Sequence, residues 1–383
     1  MDRRERRRRL VVISVVAATA GAASVLTAYA ATDRASKDAT PGGHRPAASA
    51  PKAVSTGLPQ TSPAESRQQA PGARKPKPRK DCGVNSKLVP SCGAYWGMYS
   101  VKGRTLTTSI TDLEKRFGRR FDIVLRFHDF SNDPPGRFPD ASEQELGRSR
   151  LLFFAWESKS YKSRTSYKWR DIAAGRYDSS IVVPAAKRVR AYGKKVFMSF
   201  DPEMDRHMTK GEMKGNEAEY VAAARHVHQV FQRAGVRNVV WAWTTTGSLG
   251  GDNAQRILKS YPGHAYTDWI GFDPYNFYQC HRAPWTSFEE EVGTPYRWLQ
   301  QNGLGKKPFI LPEFGTQFDS ADPERSRQWY KSIPGLMARK FPNLKGLIRF
   351  NSGEECHVQL DNGPGMASAY GQAGKHPYLN PPR

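Results

Sequence analysis

Eight short apolar runs recur along the chain, at 94–99, 123–130, 151–156, 195–200, 238–243, 269–274, 309–312 and 346–351. They are rich in β-branched and aromatic residues, the composition of buried strands. The stretches between them follow a different period. From 216 to 234, apolar residues stand at Tyr220, Ala223, Ala224, Val227, Val230, Phe231 and Ala234, one face of a helix. Residues 178–192, 288–301 and 323–340 also read as helices, with Asp322 placed to cap the last ahead of Pro323. Strands alternating with helices in this way predict an α/β fold, a (β/α)8 TIM barrel. A doubly wound open sheet would prefer a Gly-rich phosphate turn after its first strand, and no GxGxxG occurs.

The first 80 residues carry neither pattern. An arginine-rich start leads into 21 uncharged residues, 10–30, ending Ala28-Tyr29-Ala30. This reads as a signal peptide or as a single N-terminal membrane anchor. Either places residues 31–383 outside the cytoplasm, secreted or held on the outer face of the cytoplasmic membrane. Residues 31–80 contain no Phe, Tyr or Trp and abound in Pro, Ala and basic residues, so they read as a linker. The folded domain is expected over 81–383.

Charge and cysteine content narrow the classes. The net charge is +23, with +11 in residues 1–80 and +12 in the remainder. No nucleic-acid motif accompanies it, so the expectation is a basic surface and no nucleic-acid partner. An anionic-polymer binder would betray itself by salt-dependent binding. Four Cys are too few for a disulfide scaffold, but export permits two bridges. Proximity in the chain favours Cys82 with Cys92. Matched rim positions after the sixth and eighth strands favour Cys280 with Cys356. There is no HExxH or CxxC, and His226 and His228 do not share a helix face. Neither metal nor cofactor is expected.

In a barrel of this kind, chemistry sits at the carboxyl ends of the strands. The fourth run is followed by Glu203 and the seventh by Glu313, 110 residues or three βα units apart. Two carboxylates facing one cleft are what glycoside cleavage requires, one as proton donor and one as nucleophile or base. Flat aromatic side chains stack on sugars, and Trp96, Trp156, Trp243, Tyr275 and Trp285 lie in or just beyond the runs. His128, ending the second run, is a further candidate for substrate contact. Strand alternation sends only half of such residues inward, and Trp241 is expected to be structural for that reason. Tyr275 is placed to orient Glu313.

From residue 96 to 351 the chain resembles glycoside hydrolase family 26, the β-mannanase family of the retaining barrel clan. The matching pieces occur in order: WGMYS at 96, AWES at 155, DIAAGRYD at 171, EMD at 203, NVVWAW at 238, DWIGFDPYN at 268 and PEFG at 312. The resemblance implies that Glu203 is the acid/base and Glu313 the nucleophile. One departure stands out. The family's His before the acid/base Glu, Asn two residues after it and Arg four before it are here Pro202, Asp205 and Ser199. The sugar subsite beside the scissile bond is therefore rebuilt, and mannan specificity is not implied. The expectation is a monomeric, exported retaining glycosidase acting on a β-linked, mannan-like polysaccharide. The alternative is a non-catalytic polysaccharide-binding barrel of the cell envelope.

Overall fold

The computed structural model describes residues 82–101, 103, 105–134, 136–208, 213–353 and 356–381. The expected leader and linker lie outside the described residues. Within the unit Lys80–Arg383, eight strands close a barrel: β1 (Tyr95–Ser100), β2 (Ile123–Asp129), β3 (Leu151–Glu157), β4 (Val196–Phe200), β5 (Val239–Thr245), β6 (Trp269–Phe272), β7 (Phe309–Leu311) and β8 (Leu344–Asn351). Each pairs in parallel with its sequence neighbours, and β8 pairs with β1 to complete the ring. The barrel read from the apolar runs is therefore present.

The helices are α1 (Leu106–Phe117), α2 (Ala141–Leu146), α3 (Trp169–Ala173), α4 (Val183–Tyr192), α5 (Glu217–Arg233), α6 (Asn253–Lys259), α7 (Phe288–Leu299), α8 (Pro323–Lys331), α9 (Ile333–Arg339) and α10 (Met366–Lys375). The stripe at 216–234 forms α5, capped by Asn216, whose side chain accepts the Glu219 N–H. The helix expected over 178–192 is present, its first turn, 178–182, being a wider π-helical one that runs into α4. One expectation is corrected. The span 323–340 divides into α8 and α9 around Ser332. Pro334 explains the break, since it has no N–H to donate and would clash with a carbonyl one turn back.

Alternation along the strands separates two cores. Tyr95, Ile123, Leu125, Phe153, Phe197, Val240, Trp269, Ile310 and Ile348 cluster inside the barrel, with Leu88. The intervening positions, including Trp96, Val124, Phe154, Trp156, Met198 and Trp243, pack against the helices. Small residues fit the crowded interior. A Cβ on Gly97 would lie 2.9 Å from the Ile123 carbonyl oxygen, and one on Gly271 would lie 2.7 Å from Thr244 Oγ1. Before β1, the Lys87 carbonyl accepts the Trp269 indole N–H at 2.7 Å, tying the first described segment to the amino end of β6. The carboxyl ends remain for the site. Among the described residues no helix is long and apolar enough to cross a membrane.

Candidate active site

Glu203 and Glu313 leave the ends of β4 and β7. The turn after β4 holds Asp201 at φ +47° and Glu203 at φ +54°, with Pro202 between them. The Glu203 N–H donates to the Thr244 carbonyl on β5 at 3.0 Å. Its Oε2 accepts from Arg206 Nη1 at 2.8 Å. The Glu313 N–H donates to Asp273 Oδ1 at 2.8 Å. Its Oε2 accepts the Tyr275 hydroxyl, also at 2.8 Å. A short parallel pairing of Tyr275 with Gly315 and Asn276 with Thr316 fixes these two loops against each other.

The electrostatics tie the acids into one group. Burial, and then the charge of Glu203, push the Glu313 carboxyl up to about 8. Glu203 is also raised, by burial foremost; Arg206 opposes the shift and Asp205 adds to it. Asp273 stands well above the carboxylate range through burial and the charges of Glu313 and Glu203. Neighbouring carboxylates of this kind cannot all ionise cheaply, so the cluster retains protons around neutrality. Arg206 favours placing charge on Glu203, and the Tyr275 hydroxyl favours placing it on Glu313. Tyr275 is itself held far above its usual value by burial and Glu313, so it remains a donor.

Glu203, Glu313 and Tyr275 are brought together. Four of the other expected sugar contacts are not. Trp96 is fully buried against Phe121 and Tyr370, toward the helices. Trp156 is likewise buried, packed on Phe130 and Phe138, with its indole donating to the Asp129 carbonyl at 3.0 Å. Trp243 packs on Tyr261 in the same outer layer. His128 faces outward too, its Nε2 2.8 Å from Glu143 on α2. These four are corrected by strand parity, which places each on the helix side of its strand. Trp285 is half-buried on the loop before α7, covered by the Arg325 guanidinium at 4.7 Å. Trp241 packs outward on Phe231, the structural place expected of it.

Apart from Tyr275, sequence reading missed the aromatics at the carboxyl end of the barrel. Tyr99 stacks on Phe350 at 4.7 Å and meets Phe127 edge-on at 5.1 Å. Tyr275 stacks on Phe277 at 4.9 Å. All five rings are half-buried. Glu157, ending β3 on the inward side, was missed as well. It accepts from the Tyr161 hydroxyl, pairs with Lys159 at 2.9 Å, and its charge reaches Glu313. The available signal was alternation counted from Gly97 or Gly271, whose lack of a side chain marks the inward face.

The replaced family positions have other work. Asp205 is buried and accepts from the Thr246 N–H at 3.1 Å, the Thr246 hydroxyl, and Asn253 Nδ2 at 2.7 Å. It anchors the loop after β5. Ser199 donates to Thr244 Oγ1 at 3.0 Å inside the barrel. Disulfides join Cys82 to Cys92 and Cys280 to Cys356, the second linking the loops after β6 and β8. Cys280, His281 and Cys356 also form a close group of ligand-type residues, but both sulfurs are spent in that bridge.

A closed parallel barrel with two coupled carboxylates after β4 and β7 has the arrangement of a glycan-cleaving barrel. The sequence profile described as Glycosyl hydrolase family 26 matches residues 220–292. Endoglucanase H of Acetivibrio thermocellus is 25% identical over 279 residues, which cover 70% of this chain and 29% of that relative. The chain thus spans less than a third of that relative's length. Two solved structures share the fold. The GH26 domain of an endo-beta-mannanase/endo-beta-glucanase from Prevotella bryantii aligns with a TM-score of 0.53 at 14% identity, over 76% of this chain and 92% of that one. A modular endo-beta-1,4-mannanase from Cellulomonas fimi gives 0.53 at 14%, over 75% and 71%. The resemblance to glycoside hydrolase family 26 read from the sequence is upheld by these matches.

Proposed function

We propose that the protein is an exported glycosidase that cleaves a β-linked polysaccharide with retention of configuration. The observation that carries this reading is the placing of Glu203 and Glu313 just past β4 and β7, near enough for the Glu203 charge to raise Glu313, with Tyr275 bonded to Glu313. Glu313 attacks the anomeric carbon through Oε1, while Tyr275 holds Oε2. Glu203 gives its proton to the leaving oxygen. Water then attacks the glycosyl-enzyme ester, and Glu203 takes back a proton. The half-buried rings of Tyr99, Phe127, Phe277 and Phe350 offer apolar faces to sugar C–H groups. The basic leader of residues 1–30 supports secretion or anchorage outside the cell.

The substrate is a neutral β-glycan of the mannan or glucan class, the two classes named for the relatives. Pro202 offers no side-chain hydrogen bond where the family has His, so contact with the sugar beside the bond falls to other groups. Reducing ends released from a panel of β-mannan, β-glucan and xylan test the reading, with proton NMR of the first product reporting its anomer. Release of β-anomer first supports it. An α-anomer would overturn retention. Saturable binding of a glycan without release would instead favour the binding-barrel alternative.

A pH prediction follows from Arg206, whose side chain is 57% exposed beside Glu203. Its positive charge lowers the Glu203 pKa. In Arg206→Gln the carboxyl should hold its proton to higher pH. The alkaline limb of kcat/KM, set by loss of the proton donor, should therefore move upward. A limb that stays in place or moves down would exclude Glu203 as that donor.

A further inference from the structure

The turn that presents Glu203 is left-handed at two non-glycine residues, Asp201 and Glu203. Such a turn persists only where its surroundings over-determine it. The surroundings here converge on Asp201, which is fully buried. Its N–H donates to the Trp156 carbonyl at 2.8 Å. Oδ1 accepts the Ser158 N–H at 3.0 Å and Lys214 Nζ at 2.6 Å. Oδ2 accepts the Trp169 indole N–H at 2.6 Å and the Ser158 hydroxyl. Lys214 is fully buried as well. Its own N–H donates to the His207 carbonyl at 3.0 Å, and its carbonyl accepts the Trp169 N–H at 3.0 Å. The ammonium holds the Asp201 carboxyl well below its usual range against the cost of burial.

We propose that the buried Asp201–Lys214 pair is a positioning device for the acid/base carboxylate, clamping the left-handed turn between β3, α3 and the segment after Glu203. Neither residue is placed to touch substrate. A buried ion pair is a poor source of stability, because desolvation consumes much of its attraction. Its distinctive contribution is direction. Four donors on one carboxylate fix the main chain two residues before Glu203, and Lys214 fixes the main chain four residues after it. The role rests on the reading of Glu203 as acid/base. The clamp itself does not.

Lys214→Met and Asp201→Asn, compared with Glu203→Ala, test both layers. Exchange of the Glu203 amide, which is bonded to Thr244, should accelerate at least tenfold in Lys214→Met while β3 and β5 stay protected. Unchanged protection overturns the clamp, whether or not the intact protein cleaves any glycan. On phenyl glycosides kcat/KM should fall by about 100-fold, as for a catalytic group displaced by an ångström, with little loss on dinitrophenyl glycosides. A purely structural residue would lower both equally. Equal losses, with Glu203→Ala still discriminating the two leaving groups, overturn the positioning role. Absence of discrimination in Glu203→Ala itself counts against the acid/base reading and leaves the exchange result standing. Asp201→Asn preserves shape and should reproduce the pattern if Lys214→Met fails to fold.

Discussion

Glu313→Ala is expected to lose turnover on every glycoside by on the order of 10⁴-fold or more, including those with the best leaving groups. No covalent intermediate can form without the carboxylate, and a better leaving group cannot replace an attacking atom. The site gives the reason that no neighbour substitutes. Asp273 Oδ1 is occupied by the Glu313 amide, and Glu157 is bound to Tyr161 and Lys159. Azide can enter the vacated space and attack from the same face. An activated β-glycoside should then yield an α-glycosyl azide. A variant that kept a tenth of its activity, or that gave a β-azide, would remove Glu313 from the nucleophile's place. Glu313→Ala should also lower the raised pKa of Asp273, to which the Glu313 charge contributes.

Glu203→Ala should fail in a different manner. Proton donation contributes about 10²–10⁴-fold, and only where the leaving group needs it. Glycosides of poorly acidic alcohols, and polysaccharides, should lose that factor. Dinitrophenyl glycosides should form the intermediate at nearly the normal rate and then accumulate it, because water lacks its general base. A burst followed by slow turnover is the expected time course. Azide needs no base, so it should restore steady turnover and produce a β-glycosyl azide. Similar losses on both substrate classes, with no azide product, would overturn the role. The two carboxyl groups should lie about 5–5.5 Å apart in a complex with substrate, the retaining separation.

The strands were legible because a barrel strand must be apolar on both sides, and eight such runs leave few folds to choose from. Both carboxylates were legible because they stand at matched positions just past strand ends. Side-chain direction was harder. Trp96, Trp156 and Trp243 are large and aromatic, and nothing local says that each packs on helices. The inward face was written instead in its smallest members, Gly97, Ala155, Ser199, Ala242 and Gly271, because the middle of an eight-stranded barrel has little room. Counting by twos from Gly97 leads to Tyr99, and from Ala155 to Glu157, both at the site. Helices α1 and α10 were missed for a different reason. α1 is as long as α7 but carries Thr, Thr and Ser in its first turn, and α10 holds two glycines, so packing against the sheet stabilises them more than their own propensity does.

The buried tryptophans also govern what can be seen in a cuvette. Trp96, Trp156, Trp169 and Trp269 are fully buried, and Trp243 and Trp329 nearly so. The indole N–H groups of Trp156, Trp169 and Trp269 are already given to Asp129, Asp201 and Lys87, so these rings are held by the protein's own interior. Most of the emission of the protein therefore comes from interior chromophores, although its aromatic content would suggest a bright binding signal. The phenols of Tyr99 and Tyr275 are the native chromophores that border the cleft. Ultraviolet difference absorption of tyrosine, rather than indole quenching, is the optical window through which ligand titrations of this barrel become visible.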